Sequence, residues 1–172
     1  ALSSKLVDTV KIHKIEVLHV HYAIPHAYAA YMAKIMLLEE GINLPIVTTL
    51  HGTDITLVGS HPFYKPAVTF SINKSDAVTS VSQNLKDDTL RLFNIKREIE
   101  VVPNFIDLGK YSHSFTDCQR EMMACPDEKI ITHISNFRPV KRINDIINVF
   151  YNIQKEIPAK LMMVGDGPEK EP

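Results

Sequence analysis

The sequence predicts an α/β protein built from two parallel-sheet domains, and three observations predict it. Short apolar, β-branched runs recur, and each turns polar at its carboxyl end. They are Glu16-Val17-Leu18-His19-Val20-His21, Pro45-Ile46-Val47-Thr48-Thr49-Leu50 before His51-Gly52-Thr53-Asp54, Ala77-Val78-Thr79-Ser80-Val81-Ser82, and Ile99-Glu100-Val101-Val102-Pro103-Asn104. Helical stretches of ten or more residues separate these runs, the spacing that parallel βαβ units need. The alternation lapses over residues 103–127 and restarts at Ile130-Ile131-Thr132-His133-Ile134, so one set of units follows another.

Taken in order, residues 2–13 read as a helix and 16–20 as a strand. From Ala27 to Glu40, Ala29, Met32, Ala33 and Met36 recur at helical spacing. Tyr31, Ile35 and Leu38 fill the other face, which predicts a helix covered on most sides. Gly41 is a suitable stop, and Asn43-Leu44-Pro45 turns into the strand 46–50. A helix over 62–74 with Pro62 near its start, a strand over 76–81, a helix over 83–93 capped by Ser82, and a strand over 98–102 complete the first set. Residues 103–127 read as a connection with one short helix. Beyond the strand 130–134, Ile143, Ile146, Ile147, Phe150 and Ile153 form one helical stripe, and 160–164 is the last strand. We expect a first domain over 1–106, a connection over 107–127 and the start of a second domain over 128–172. Both sheets should be covered by helices on both faces.

The bulk numbers narrow the function. The chain has 172 residues, 45% hydrophobic and 23% charged, with a formal net charge of -1. No basic excess marks a nucleic-acid partner, and no run approaches the ~18–20 apolar residues of a membrane span. Cys118 and Cys125 stand without a CxxC or CxxxC spacing, which suits two lone thiols in a reducing cytoplasm, although the spacing leaves a bridge open. A homo-oligomer is compatible with the sequence, which does not fix the assembly state. The chain opens on Ala1 and stops just after Val164-Gly165-Asp166-Gly167-Pro168, so we expect an internal piece of a longer protein, inactive by itself.

Open parallel sheets bind ligands beyond the carboxyl ends of their strands, which selects five segments. His21-Tyr22-Ala23-Ile24-Pro25-His26 leads into a helix start, a favourable place for an anion; its histidines could equally satisfy local backbone groups. In His51-Gly52-Thr53-Asp54, glycine permits close approach, histidine can donate or exchange a proton and Asp54 can orient a neighbour. The plainer reading is a helix cap beside a structural histidine. Ser80-Val81-Ser82-Gln83-Asn84 reads best as an N-cap, and Val102-Pro103-Asn104-Phe105-Ile106-Asp107 is a rigid turn that can also carry a ligand group. Ser135-Asn136-Phe137-Arg138-Pro139-Val140-Lys141-Arg142 places three cations at a strand-to-helix turn, which makes either a diphosphate site or a solvated basic loop. Walker, GxGxxG and GxSxG loops are absent, and Gly165-Asp166-Gly167 alone is a weak signal. His19, His21 and His26 lack the spacing of a zinc site, and no metal site is expected.

In order, these motifs resemble the retaining GT-B glycosyltransferases, the large family that includes sucrose and glycogen synthases. The resemblance spans nearly the whole chain. The Pro-Asn-x-x-Asp and Val-Gly-Asp-Gly-Pro elements are generic. The stretches Leu18–Ala27, Thr49–Ile55 and His133–Arg142 are more specific and resemble the members that glycosylate malate in bacillithiol biosynthesis. The resemblance implies two Rossmann-like halves with a cleft between them, the first half holding the acceptor L-malate and the second the donor UDP-N-acetylglucosamine. It implies transfer with retention and without a required metal or other cofactor, a basic pair stabilising the departing diphosphate instead. Lys141 matches the family's lysine; the arginine falls on Asn136, so Arg138 or Arg142 has to supply the missing charge. His51 matches the histidine near the transferred sugar. Ser135, Asn136, Arg138, Lys141, Arg142 and Gly165 would then serve the donor, and His21, Tyr22, His26, Gly52, Thr53, Asp54 and Asn104 the acceptor or the sugar. The family's Gly-rich loop would precede Ala1, and its paired glutamates would follow Pro172. Three other readings stay open: a related transferase with a lipid, inositol phosphate or polysaccharide acceptor, a non-catalytic nucleotide-sugar-binding module, and a nucleotide-sugar epimerase.

Overall fold

The structure, a computed structural model, describes residues 1–57, 59, 61–111 and 120–170. They form two compact units, Ala1–Asp107 and Leu108–Pro172. Cys118 lies outside the described residues; Cys125 is a free, exposed thiol.

The first unit runs α1 (Leu2–His13), β1 (Leu18–His21), α2 (Tyr28–Glu39), β2 (Ile46–Leu50), α3 (Lys65–Lys74), β3 (Ala77–Ser80), α4 (Gln83–Leu92) and β4 (Ile99–Val101). Irregular helical turns at Ala23–Ala27 and Thr53–Leu57 follow β1 and β2. The strands are all parallel and pair in chain order, with Leu18 opposite Ile46, Thr49 opposite Thr79 and Ser80 opposite Val101. Right-handed crossovers repeated in one direction put their helices on one face of a sheet, and burial along the strands records it. Ile46, Thr48, Leu50, Val78 and Ile99 are buried with Val68, Ile72 and Leu85 of α3 and α4. His19, His21, Ala77 and Glu100, on the opposite face, are exposed. Among the described residues the sheet is therefore covered on one face, not on both as the strand sequences suggested. Its alternation of buried and open positions is that of a half-solvated sheet.

The elements differ from their expected bounds for local reasons. β1 starts at Leu18 and not at 16, because its partner strand begins only at Ile46 and the Leu18 N–H donates to the Pro45 carbonyl at 2.9 Å. α2 begins one residue later than expected, behind the turn at Ala23–Ala27, where Ile24 before Pro25 is extended. Its buried face is Ala29, Ala30, Ala33 and Leu37; Met32, Met36 and Leu38 are exposed, so the helix is not covered on most sides. The small alanines let α2 approach α1, whose Val7 and Val10 join Ala33, Leu37 and Leu44 in a second core. Pro66, not Pro62, occupies the first turn of α3. Ser82 caps α4, its Oγ accepting the Leu85 N–H at 3.2 Å.

Asp76 ties three elements together at the amino end of the sheet. Its Oδ2 accepts the Ile46 N–H and Lys34 Nζ, each at 2.7 Å. Burial pushes its carboxyl up, but the hydrogen bonds from Lys34 and Ile46 outweigh that and hold it below the usual carboxylate value.

The second unit holds α5 (Leu108–Tyr111), α6 (Arg120–Met123), β5 (Lys129–Ile134), α7 (Ile143–Glu156) and β6 (Ala159–Val164). In the stretch expected to carry one short helix, the described residues hold two. β5 and β6 are parallel over six residue pairs from Lys129 and Ala159 to Ile134 and Val164. Ile143 of α7 is buried, and Ile146, Phe150 and Ile153 are partly covered. Ile147 stays 48% exposed, because two strands cover only a narrow stripe of the helix.

Candidate active site

A cavity of about 420 Å³ opens on the uncovered face of the first sheet, toward the carboxyl ends of its strands. His19 and His21 of β1, Val47 and Thr49 of β2, His51, Thr79 of β3 and the turn Val102–Phe105 line it. Size alone does not select this cavity. One of about 620 Å³ lies beside α6, lined by Met122, Met123 and Cys125 among others. Its cations are already spent: Arg120 donates to the Pro126 and Glu128 carbonyls, and Lys160 pairs with Glu128.

The two loops around the smaller cavity are held by one carboxylate. Asp54 is 3% exposed; its Oδ2 accepts the Ala23 N–H at 2.9 Å, and its Oδ1 accepts the N–H groups of Gly52 at 3.0 Å and His51 at 3.3 Å. A charged acceptor for three backbone donors is a strong clamp. It fixes the loop after β1 to the loop after β2, so Asp54 acts through the backbone, with its carboxylate fully engaged. Gly52, at φ 117°, has a conformation that side chains rarely adopt. Tyr22 takes φ 76° despite its Cβ, while its N–H donates to the Thr49 carbonyl at 2.9 Å. Backbone strain of this kind concentrates where a side chain must be aimed. The Tyr22 ring lies 5.1 Å from that of His51 and 6.2 Å from that of His26.

Four histidines meet here. His21 Nδ1 and His51 Nε2 are 2.8 Å apart and share a hydrogen bond. His26 Nδ1 lies 2.7 Å from the His21 carbonyl, which accepts its proton. His19 Nε2 contacts Thr49 Oγ1 at 2.8 Å, and Thr49 Oγ1 contacts Thr79 Oγ1 at 2.7 Å, a chain across three strands. The His19 and His21 rings are 4.8 Å apart. Burial, then the neighbouring His21, hold the His51 pKa below the ordinary histidine value, against a weaker pull upward from Asp54. His51 is thus kept neutral, able to donate from one ring nitrogen and accept at the other. Asn104 lines the cavity beside Phe105, which is 89% exposed; Thr53 is exposed at the start of its turn. Sequence reasoning selected His21, His51 and Asn104 here, but set His19 aside and missed Thr49 and Thr79. The signal was the two-residue alternation that puts His19 and His21 on one face and Thr49 opposite Thr79.

In the second unit the loop after β5 is built against the turn after β6. The Ser135 N–H donates to the Val164 carbonyl at 3.1 Å, and the Phe137 N–H to the Asp166 carbonyl at 2.9 Å. The Phe137 ring is 6% exposed, and Ser135 Oγ contacts His133 Nε2 at 2.7 Å. A Cβ on Gly165 would lie 1.8 Å from the Ser135 carbonyl oxygen, and one on Gly167 2.5 Å from that of Phe137. These glycines let the two loops touch. Arg142 adopts φ 52° and pairs with Asp145 in the first turn of α7. Asn136, Arg138 and Lys141 are exposed, and neither cation has an ion-pair partner among the described residues. Two unpaired cations beside the start of a 14-residue helix form an arrangement able to hold an anion.

Comparison with known proteins adds the following. Residues 1–110 match Glycosyltransferase Family 4. Over 170 residues the chain is 46% identical to N-acetyl-alpha-D-glucosaminyl L-malate synthase of Bacillus anthracis, an alignment covering 98% of this chain and 44% of that protein. It is 24% identical over 178 residues to a glycosyltransferase of Bacillus subtilis (strain 168) assigned to teichuronic acid biosynthesis, covering 98% of this chain and 43% of the relative. Sucrose-phosphate synthase from Thermosynechococcus elongatus has a similar fold, with a TM-score of 0.65 at 16% identity over 98% of this chain and 43% of its own. The chain therefore spans less than half the length of the relatives it matches.

Proposed function

The chain belongs to Glycosyltransferase Family 4, and from that premise we propose that it is part of an enzyme transferring N-acetylglucosamine from UDP-N-acetylglucosamine to L-malate. The observation that carries this reading is the 46% identity to a synthase of that name along 98% of the chain, a span that includes both the histidine cavity and the cation loop. The α/β fold with parallel strands, of the GT-B type, agrees with it.

In this reading Lys141 and Arg138 bind the donor diphosphate and stabilise the charge that develops on it. Fixed cations supply what a metal ion would otherwise do, so no metal is required. Arg138 is favoured over Arg142 as the second charge, because Arg142 is already paired with Asp145. Ser135 and Asn136 offer hydrogen bonds beside them, and Gly165 keeps the loop in place. His51 holds a hydroxyl of the transferred sugar, while His21, Tyr22, His26, Gly52, Thr53 and Asn104 shape the acceptor side. The acceptor hydroxyl oxygen attacks the anomeric carbon on the face that the leaving group vacates. As the bond from that carbon to the phosphate oxygen breaks, the departing phosphate takes the hydroxyl proton. Retention follows without an enzymic carboxylate nucleophile, unlike the double displacement of retaining glycosidases. The enzyme would work in the cytoplasm on small-molecule substrates. No helix among the described residues is long and apolar enough to cross a membrane.

Product analysis of the full-length protein with UDP-N-acetylglucosamine and a panel of hydroxy acids tests the reading. An α-linked N-acetylglucosaminyl malate is expected. Failure to use any UDP-sugar would sink the transferase assignment, and transfer to a polysaccharide instead would favour the relation to the teichuronic acid enzyme.

A further inference from the structure

The contact between His21 and His51 has room for one proton only. Two ring nitrogens 2.8 Å apart cannot both carry a hydrogen along the line joining them. When His21 Nδ1 donates, His51 Nε2 accepts, and His51 must then carry its own proton on Nδ1, leaving His21 Nε2 as an acceptor. When the shared proton sits on His51 Nε2, both outward roles reverse. His21 Nε2 and His51 Nδ1 have no partner among the described residues, and both rings line the 420 Å³ cavity.

We propose that His21 is a positioning residue for His51: their hydrogen bond holds one proton between the rings, so that the cavity meets one donor and one acceptor nitrogen, a pair matched to a substrate hydroxyl. A hydroxyl both donates and accepts, and this pair can answer either orientation: as the shared proton crosses to His51 Nε2, a hydroxyl bridging the outward nitrogens takes the proton of His51 Nδ1 and gives its own to His21 Nε2. A third proton on the pair makes both outward nitrogens donors and removes the acceptor. The groups facing His51 are His19 and His21 from β1, the Tyr22 ring, and Asp54 from its own loop. The β4 turn brings Pro103, Asn104 and Phe105, none of them titratable. His19 is occupied with Thr49, and Asp54 with backbone N–H groups, which leaves His21 as the side chain bonded to the His51 ring. The substrate hydroxyl belongs to the transferase reading given above; the proton-sharing pair does not depend on it.

Long-range proton–nitrogen NMR of the full-length protein, with labelled histidine rings, reads the pair directly. The expected spectrum shows the two rings sharing one proton, each in one dominant tautomer and both of the same kind, with His51 titrating below the ordinary histidine range. In His21→Phe, which keeps the bulk, the His51 nitrogens should move to the averaged values of a freely exchanging ring, and its titration should move to higher pH. His21→Asn, whose amide can stand near the lost Nδ1, should restore a single tautomer. In turnover, His21→Phe should lower kcat roughly 5- to 10-fold, the worth of one hydrogen bond, with the donor KM little changed. Its acid limb should move to higher pH, and His21→Asn should recover part of the rate. Unchanged His51 nitrogen shifts in His21→Phe would overturn the proposal. So would averaged tautomers in the unmodified protein, a result available even if His21→Phe does not fold. A protein that transfers no sugar but shows the locked pair would defeat the transferase reading and leave this one standing.

Discussion

The histidine cavity of the first unit and the cation loop of the second handle polarity in opposite ways. In the cavity, side-chain polar groups are largely paired: Asp54 with three N–H groups, His19 with Thr49, Thr49 with Thr79, His21 with His51. The loop is shaped by backbone hydrogen bonds and by glycines, while Arg138 and Lys141 have no ion-pair partner among the described residues. The difference teaches what each region is suited to hold. A network already satisfied keeps its geometry without a ligand, which favours neutral hydroxyls that need direction more than charge. Two unpaired cations at the surface cost little in water and gain most when an anion arrives.

This contrast predicts where substitutions act, and the largest effect should fall on the loop. Lys141→Ala should reduce turnover with UDP-N-acetylglucosamine on the order of 100-fold, the size seen when one transition-state donor is lost, while thermal stability stays near normal. A rate close to that of the unmodified protein would remove the diphosphate role. Arg138→Ala should follow with a smaller loss, and Arg142→Ala with less again, because its guanidinium already serves Asp145. The reverse order would show that the ion pair opens on donor binding.

The cavity should answer differently, in stability before activity. Asp54→Ala leaves three backbone N–H groups without their acceptor, and should cost roughly 2–3 kcal/mol in urea unfolding. His51→Ala should lower turnover more than nucleotide affinity; an equal loss in both would mark His51 as a structural histidine. The smallest effect is a pH dependence of stability. The folded state binds the His51 proton less readily than the unfolded chain, whose histidine titrates near 6.5. The His51 contribution is therefore whole above that pH, declines as pH falls below it, and levels off beneath the lowered folded value. Asp76 behaves similarly in a lower window, its contribution present above the unfolded carboxylate value and lost as pH falls through the folded one. Unfolding curves of His51→Ala and Asp76→Asn across pH would separate the two.

Much of this architecture was legible in the residues. Strand runs with polar carboxyl ends placed His21, His51 and Asn104 at one end of a parallel sheet, and the run Arg138–Arg142 announced its cations. The α2 stripe was misread because Met and Ala score alike as apolar, whereas close packing against α1 selects the small residue. The sheet was expected to be covered twice because runs such as Ile46–Leu50 are nearly all apolar or small. The fate of each face depends on which way successive crossovers turn, and no strand sequence records that.

What the sequence by itself determined is local: the periodicities, the caps such as Ser82, and which chemical groups stand at the strand ends. Those properties follow from steric and hydrogen-bonding preferences within a few residues. Tertiary structure alone decided the pairings. His21 meets His51, and His19 meets Thr49, across 30 residues of chain, because the register sets His19 opposite Val47 and His21 opposite Thr49, one same-face step from each partner. It also decided that Asp54 clamps backbone instead of facing the cavity, and that Arg142 is neutralised while Arg138 is not. Side-chain direction and charge pairing depend on which surfaces the fold brings within hydrogen-bonding distance, about 3 Å, a length at which one residue of register changes the partner.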